Sequence, residues 1–167
     1  MVMDMDTRSR AAHRRWAVAA MAWTMLYVAS KVDYAVRERL GVTGGPEVGP
    51  ASYDTYGPGD VAWAQGSNAG VGLLGIALLA APLLPVSRRL PRRVLAAPLA
   101  AITLLALAGG IGMIARAITS DVGGMLFGAY CLIWAALIAM TTKQVATRTD
   151  ARRKTSSTSL TKIGDPL

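Results

Sequence analysis

Apolar residues fall into four long runs separated by short polar segments. The stretch 16–32 carries only Lys31, near its end, while 61–86, 94–115 and 122–142 carry no charge at all. A helix rising about 1.5 Å per residue needs about 20 residues to cross a hydrocarbon core of about 30 Å. Three runs meet that length, and the first does so when continued through Tyr34 and Arg37. The pattern predicts an all-α membrane protein: a four-transmembrane-helix bundle with spans over about 16–37, 61–86, 94–115 and 122–142. Around it lie a basic N-terminal segment (1–15), one long ordered outer loop between the first two helices, and a basic tail (143–167). The tail is rich in Ser, Thr and Arg without apolar periodicity, which predicts disorder beyond Val145.

The ends of the runs carry helix signals. Asp60, Ser120 and Asp121 stand where a short acceptor satisfies the first free amides, and Gly41 stands where the first helix is expected to stop. Pro98 falls in the first turns of the third helix and Pro82 and Pro85 near the end of the second, where a lost hydrogen bond does least harm. Small residues at four-residue spacing let helices approach closely in lipid. Gly66 and Gly70 (followed by Gly72 and Gly75), Ala106 and Gly110, and Gly124 and Gly128 have that spacing, which favours a compact bundle.

Charge then orients the bundle. The 167 residues include 18 basic and 10 acidic side chains, a net charge of +8. Fourteen of the basic residues lie in the N-terminal segment, the 87–93 loop and the tail; three, Arg37, Arg39 and Arg116, lie on the other side, and Lys31 lies within a span. Cationic loops resist translocation, so both termini are expected in the cytoplasm and 41–60 outside, as in a multi-pass protein of a bacterial plasma membrane. The basic residues flank spans instead of forming one patch interleaved with aromatics, which points to anionic lipid headgroups and away from nucleic acid. A basic segment, an apolar stretch and the small pair Ala29 and Ser30 also fit a secretory signal peptide. Trp16, Trp23, Tyr27 and a polar stripe continuing past Ser30 favour a retained span instead.

That stripe is Thr24, Tyr27, Lys31, Tyr34 and Glu38, at steps of three and four along one helix face. An ionisable residue at membrane depth is by default a functional candidate, so Lys31 heads the list. Its alternative is to snorkel toward headgroups with Asp33 and Glu38 nearby. The Gly- and Pro-rich loop from Gly41 to Asp60 contributes Glu47 and Asp54 as acids able to bridge Lys31 and Glu38, with Tyr53, Tyr56 and Trp63 as interface anchors. Gln65, Ser67 and Asn68 open the second span just below. The candidate ligand-binding set is therefore Tyr27, Lys31, Tyr34, Glu38, Glu47, Asp54, Gln65 and Asn68.

Catalytic and metal chemistry find no support in the sequence. A single cysteine, Cys131, and a single histidine, His13, leave no disulfide, no zinc spacing and no bis-His haem ligation. There is no Ser/His/Asp set, no phosphate loop and no HExxH motif, so no cofactor is expected.

The first helix from Ala22 to Val42, the loop segments GGPEV and YGPGD, and the AQGSNAGVGLL opening of the second helix resemble small bacterial integral membrane proteins grouped as a domain of unknown function. The resemblance runs over about 16–140 and implies a four-helix membrane fold without assigned functional residues. Predominance of Arg over Lys, and abundant Ala and Gly, suit a GC-rich bacterial source. The expected role is a non-catalytic accessory or scaffold protein, with a membrane protein partner or self-association. The alternatives are a small transporter or lipid-like ligand-binding protein with its site at the outer mouth of the bundle and, less favoured, a membrane enzyme acting on a lipid or isoprenoid.

Overall fold

The computed structural model describes residues 2–161 apart from 86, 88, 89 and 121, with side chains over 14–146 apart from those positions and 92. His13 and Asp121 thus fall outside the described side chains. Four α-helices make up the fold: α1 (Val2–Val36), α2 (Asp60–Ala80), α3 (Arg92–Thr119) and α4 (Met125–Thr161). No strand occurs among the described residues; short 3-10 turns cover Pro50–Tyr53 and Ala81–Leu83. The backbone of α4 runs past Val145, where the composition of the tail predicts an end to order, and stays helical to Thr161. Extending an existing helix avoids repeating the nucleation cost.

Three segments are long and apolar enough to cross a membrane: Asp60–Leu83, Arg93–Thr119 and Met125–Ala146. Helix α1 is not among them, because Thr24, Ser30 and Lys31 lower its hydropathy. The exterior of the described helices is apolar, with Leu26, Val71, Leu74, Leu104, Leu105, Ile118 and Leu126 all exposed. An apolar surface of that extent belongs in lipid.

Helix α1 packs on α2 and α4, and α4 packs on α3. The buried face of α1 is Ala17, Ala20, Thr24, Val28 and Lys31, an i, i+3/i+4 pattern of mainly small side chains. Against it α2 sets Val61, Gln65, Ala69, Gly72, Gly75 and Leu79. A Cβ added at Gly72 would lie 2.6 Å from Val28 Cγ2, so this position admits only glycine without movement. Gly66 and Gly70, the pair with the expected spacing, have open space around them and face outward. Contact uses Gly72 and Gly75 because the α2 stripe that meets α1 is set by Gln65 and Leu79. The α3–α4 crossing matches the expected small residues, with Gly110 and Gly128 so close that an added Cβ on either would come within 3.0 Å of the other's carbonyl oxygen. All four helices meet in one apolar cluster, Ala20, Leu79, Leu99, Ile138 and Val145.

Helix ends depart from the sequence expectation in three places. Helix α1 stops at Val36: Arg39 N–H donates to Tyr34 O and Glu38 N–H to Ala35 O, closing a Schellman motif with Glu38 at φ 49° in the left-handed position. Gly41, expected as the stop, instead serves a later bend at φ 111°. Helix α2 takes Gly59 as its N-cap, while the Asp60 carboxylate accepts from Gly57 N–H at 2.9 Å. Helix α4 begins at Met125 rather than near Val122, and the α1–α2 loop supplies its cap: Phe127 N–H donates to Gly44 O at 2.9 Å.

Candidate functional site

At the end of the molecule where the α1–α2 loop lies, Lys31 enters α2's territory. Its Nζ donates to Gln65 Oε1 at 2.9 Å and to Gly41 O at 2.7 Å, with the Tyr27 ring centroid 5.7 Å away. Lys31 is 8% exposed and Gln65 2%. Gln65 Nε2 in turn donates to Arg39 O at 2.8 Å and to Gly41 O at 3.1 Å. One turn of loop backbone, 39–41, is thereby fixed from beneath by two buried side chains on different helices. Two neutral carbonyl oxygens thus accept from the buried amine, in place of a carboxylate.

Further ties hold the loop at its edges. Ser30 Oγ and Thr43 Oγ1 are 2.9 Å apart, Leu40 N–H donates to Tyr53 Oη at 3.0 Å, and Glu47 N–H donates to Val122 O at 2.9 Å. Pro46 and Gly123 form an isolated antiparallel bridge. A segment of such Gly and Pro content gains order from its own short turns, Gly45 N–H to Val42 O and Ser52 N–H to Gly49 O among them, together with backbone hydrogen bonds to neighbouring elements.

Above this floor lies a cleft of about 370 Å³, lined by Tyr34, Arg39, Gly44, Glu47 and Tyr53 among others. The Arg39 guanidinium sits over the Tyr34 ring, 5.8 Å from its centroid. Among the described residues the only ion pair is Arg37 with Asp33, at 2.9 Å on the exposed face of α1. Arg39 and Glu47 are therefore not paired with each other or with any other described charge.

Below the node a seam of aromatic rings joins α1 to α4. Trp23 and Tyr130 stack with centroids 5.1 Å apart and exchange hydrogen bonds, Trp23 Nε1 to Tyr130 O at 3.2 Å and Tyr130 Oη to Trp23 O. Tyr27 stacks on Phe127 and Trp134, and Trp134 Nε1 donates to Thr24 Oγ1 at 2.9 Å. Every described polar tip in this seam except the Tyr27 hydroxyl thus has a hydrogen-bond partner inside the fold, as groups at membrane depth require.

The predicted residues separate into three groups. Tyr27, Lys31 and Gln65 come together at the node, and Tyr34 and Glu47 line the cleft. Glu38, Asp54 and Asn68 are exposed and touch neither. The expected bridging of Lys31 and Glu38 by Glu47 or Asp54 does not form: Glu38 lies beyond the helix end in the left-handed turn, so the seven-residue register with Lys31 no longer holds. Lys31 is met by an amide and a carbonyl in place of a carboxylate. Tyr53, expected as an interface anchor, lines the cleft and accepts from Leu40 N–H, whereas Arg39, Tyr130 and Trp134 are not singled out by spacing. Their signal was faint, since Arg39 reads as a loop charge and Tyr130 and Trp134 as ordinary members of an apolar run. Comparison with protein-family models, with curated proteins and with solved structures finds no match.

Proposed function

We propose that the chain is a multi-pass integral membrane protein with four spanning helices and both termini in the cytoplasm, acting as a non-catalytic accessory or scaffold protein that presents its folded outer loop. The Lys31 amine carries this reading: buried where α1 meets α2, it directs its hydrogen bonds to Gln65 and Gly41 of its own chain, where they hold the loop in place. Its inclusion among the spans is supported by the packing of α1. The polar residues that lower its hydropathy, Thr24 and Lys31, are buried against α2 and α4, while Val18, Met25, Leu26, Val32 and Val36 face outward. The imbalance of basic residues, fourteen against three, supports the orientation.

Cys131 is buried, so a thiol placed in the loop reports alone. With Thr55→Cys, a membrane-impermeant maleimide is expected to label intact cells, and a periplasm-dependent reporter fused after Leu167 is expected to stay silent. Labelling only after lysis would overturn the orientation. For the accessory role, photo-cross-linking from positions 55 and 58 is expected to give a discrete protein adduct; a loop that cross-links to no protein speaks against it. A second reading, a ligand-binding protein with its site at the outer mouth, is favoured by the cleft between Tyr34, Arg39, Glu47 and Tyr53.

A further inference from the structure

We propose that the loop cleft binds a small zwitterion carrying an oxyanion and a primary ammonium, of the phosphoethanolamine type, with the oxyanion on Arg39 and the ammonium on Glu47. This rests on the second, ligand-binding reading and gives it a ligand class and two charged contacts.

The charges in the cleft decide the class. Arg39 and Glu47 line the same 370 Å³ space, and neither is in an ion pair among the described residues. A guanidinium offers a planar fork of donors that matches phosphate or carboxylate oxygens, and a carboxylate accepts from the three N–H bonds of a primary ammonium. One unpaired charge of each sign makes the cleft neutral as a whole. A simple anion would meet Glu47 and a simple cation would meet Arg39, whereas a zwitterion satisfies both.

The arginine is also held ready. Its carbonyl is bound by buried Gln65, its amide closes the Schellman motif on Tyr34, and its guanidinium lies over the Tyr34 ring. That turn is made by Glu38 at φ 49°, a position where glycine is the easy choice. A costly backbone conformation immediately before a charged residue at a cleft is the kind of strain found beside binding groups. The Glu47 backbone is fixed in turn by Val122 O. Fixing the backbone at both positions reduces part of the ordering cost of binding. The cleft stands at the ends of the apolar helices, level with a headgroup layer, so a bilayer lipid and a free solute are both sources of the same chemistry.

The full chain is reconstituted in nanodiscs of equal parts phosphatidylethanolamine and phosphatidylglycerol, and retained lipid is read by native mass spectrometry. In parallel, glycerophosphoethanolamine is titrated into the detergent-solubilised chain. Preferential retention of the ethanolamine lipid is expected, falling about tenfold or more in Arg39→Gln and in Glu47→Gln, as loss of a charge-assisted bond implies. Arg37→Gln, paired on the helix surface, is expected to retain lipid like the parent. Binding of the soluble headgroup with the same variant dependence assigns a free solute as a competent source, and lipid retention without it assigns the bilayer. Equal retention of both lipids, or retention unchanged in both cleft variants while thermal unfolding shows them folded, overturns the proposal. Preferential retention of phosphatidylglycerol that is lost in the cleft variants would overturn this proposal while leaving the ligand-binding reading standing, so the two outcomes are separable.

Discussion

The side chains of Lys31 and Gln65 meet across α1 and α2 at 2.9 Å, and both bind the same carbonyl oxygen, that of Gly41. Each satisfies the other's polar demand, so the pair behaves as a unit. Gln65→Leu leaves the buried amine with one partner and is expected to lower stability by about 2–3 kcal/mol. Adding Lys31→Met removes the stranded donor, so the double variant is expected to be more stable than Gln65→Leu alone. Detergent unfolding of the four members of the cycle measures the coupling; additive effects would show that the two residues act independently.

Glu38 gives an opposite expectation. A non-glycine residue in the left-handed region costs about 1 kcal/mol, so Glu38→Gly should raise the unfolding midpoint. Glu38→Ala keeps the strain and serves as the comparison.

Glycine substitutions separate packed from open positions. Gly128→Ala would place a Cβ 2.7 Å from Ile114 Cγ1 and 3.0 Å from the Gly110 carbonyl, and backbone cannot yield as a side chain can. A loss of about 1–3 kcal/mol is expected. Gly66→Ala and Gly70→Ala meet nothing within 4 Å and should leave stability unchanged or slightly higher, since alanine favours helix. Thermal unfolding of the three variants in one detergent decides between them.

Tyr130→Phe keeps the ring stack on Trp23 but removes the hydroxyl that binds the Trp23 carbonyl. A cost of about 1 kcal/mol is expected, with the near-ultraviolet dichroism of the aromatic seam retained. Loss of that signal would mean that the hydroxyl, more than the stack, orders α1 against α4.

Helix positions were legible because uncharged runs of span length have few other uses, and the Lys31 stripe was legible because its polar residues recur at three and four. The partner of Lys31 was not legible. Charge complementarity points to a carboxylate, while the fold supplies an amide 34 positions away through the approach of α2 that Gly72 permits. Spacing likewise marks Gly66 and Gly70 as a contact pair but does not say which face of α2 turns inward; Gln65 and Leu79 decide that. The end of α1 was missed because Gly41 carries the usual stop signal and Glu38 does not. Arg39 was missed with it, since its place over Tyr34 depends on that turn.

The cap on α4 has a consequence for the order in which the chain matures. Phe127 N–H is satisfied by Gly44 O, and Glu47 N–H by Val122 O, across nearly half the length of the polypeptide. As synthesis proceeds from the N-terminus, the loop that follows α1 exists well before its acceptors and donors on the α3–α4 turn emerge. Until then its backbone rests on the Lys31–Gln65 node, the Ser30–Thr43 contact and its own turns, and the aromatic face of α1 has no α4 to cover it. The first hairpin is thus a waiting half, exposed to quality control until the last helix arrives, and a chain truncated before Met125 should be degraded rather than accumulate in the membrane.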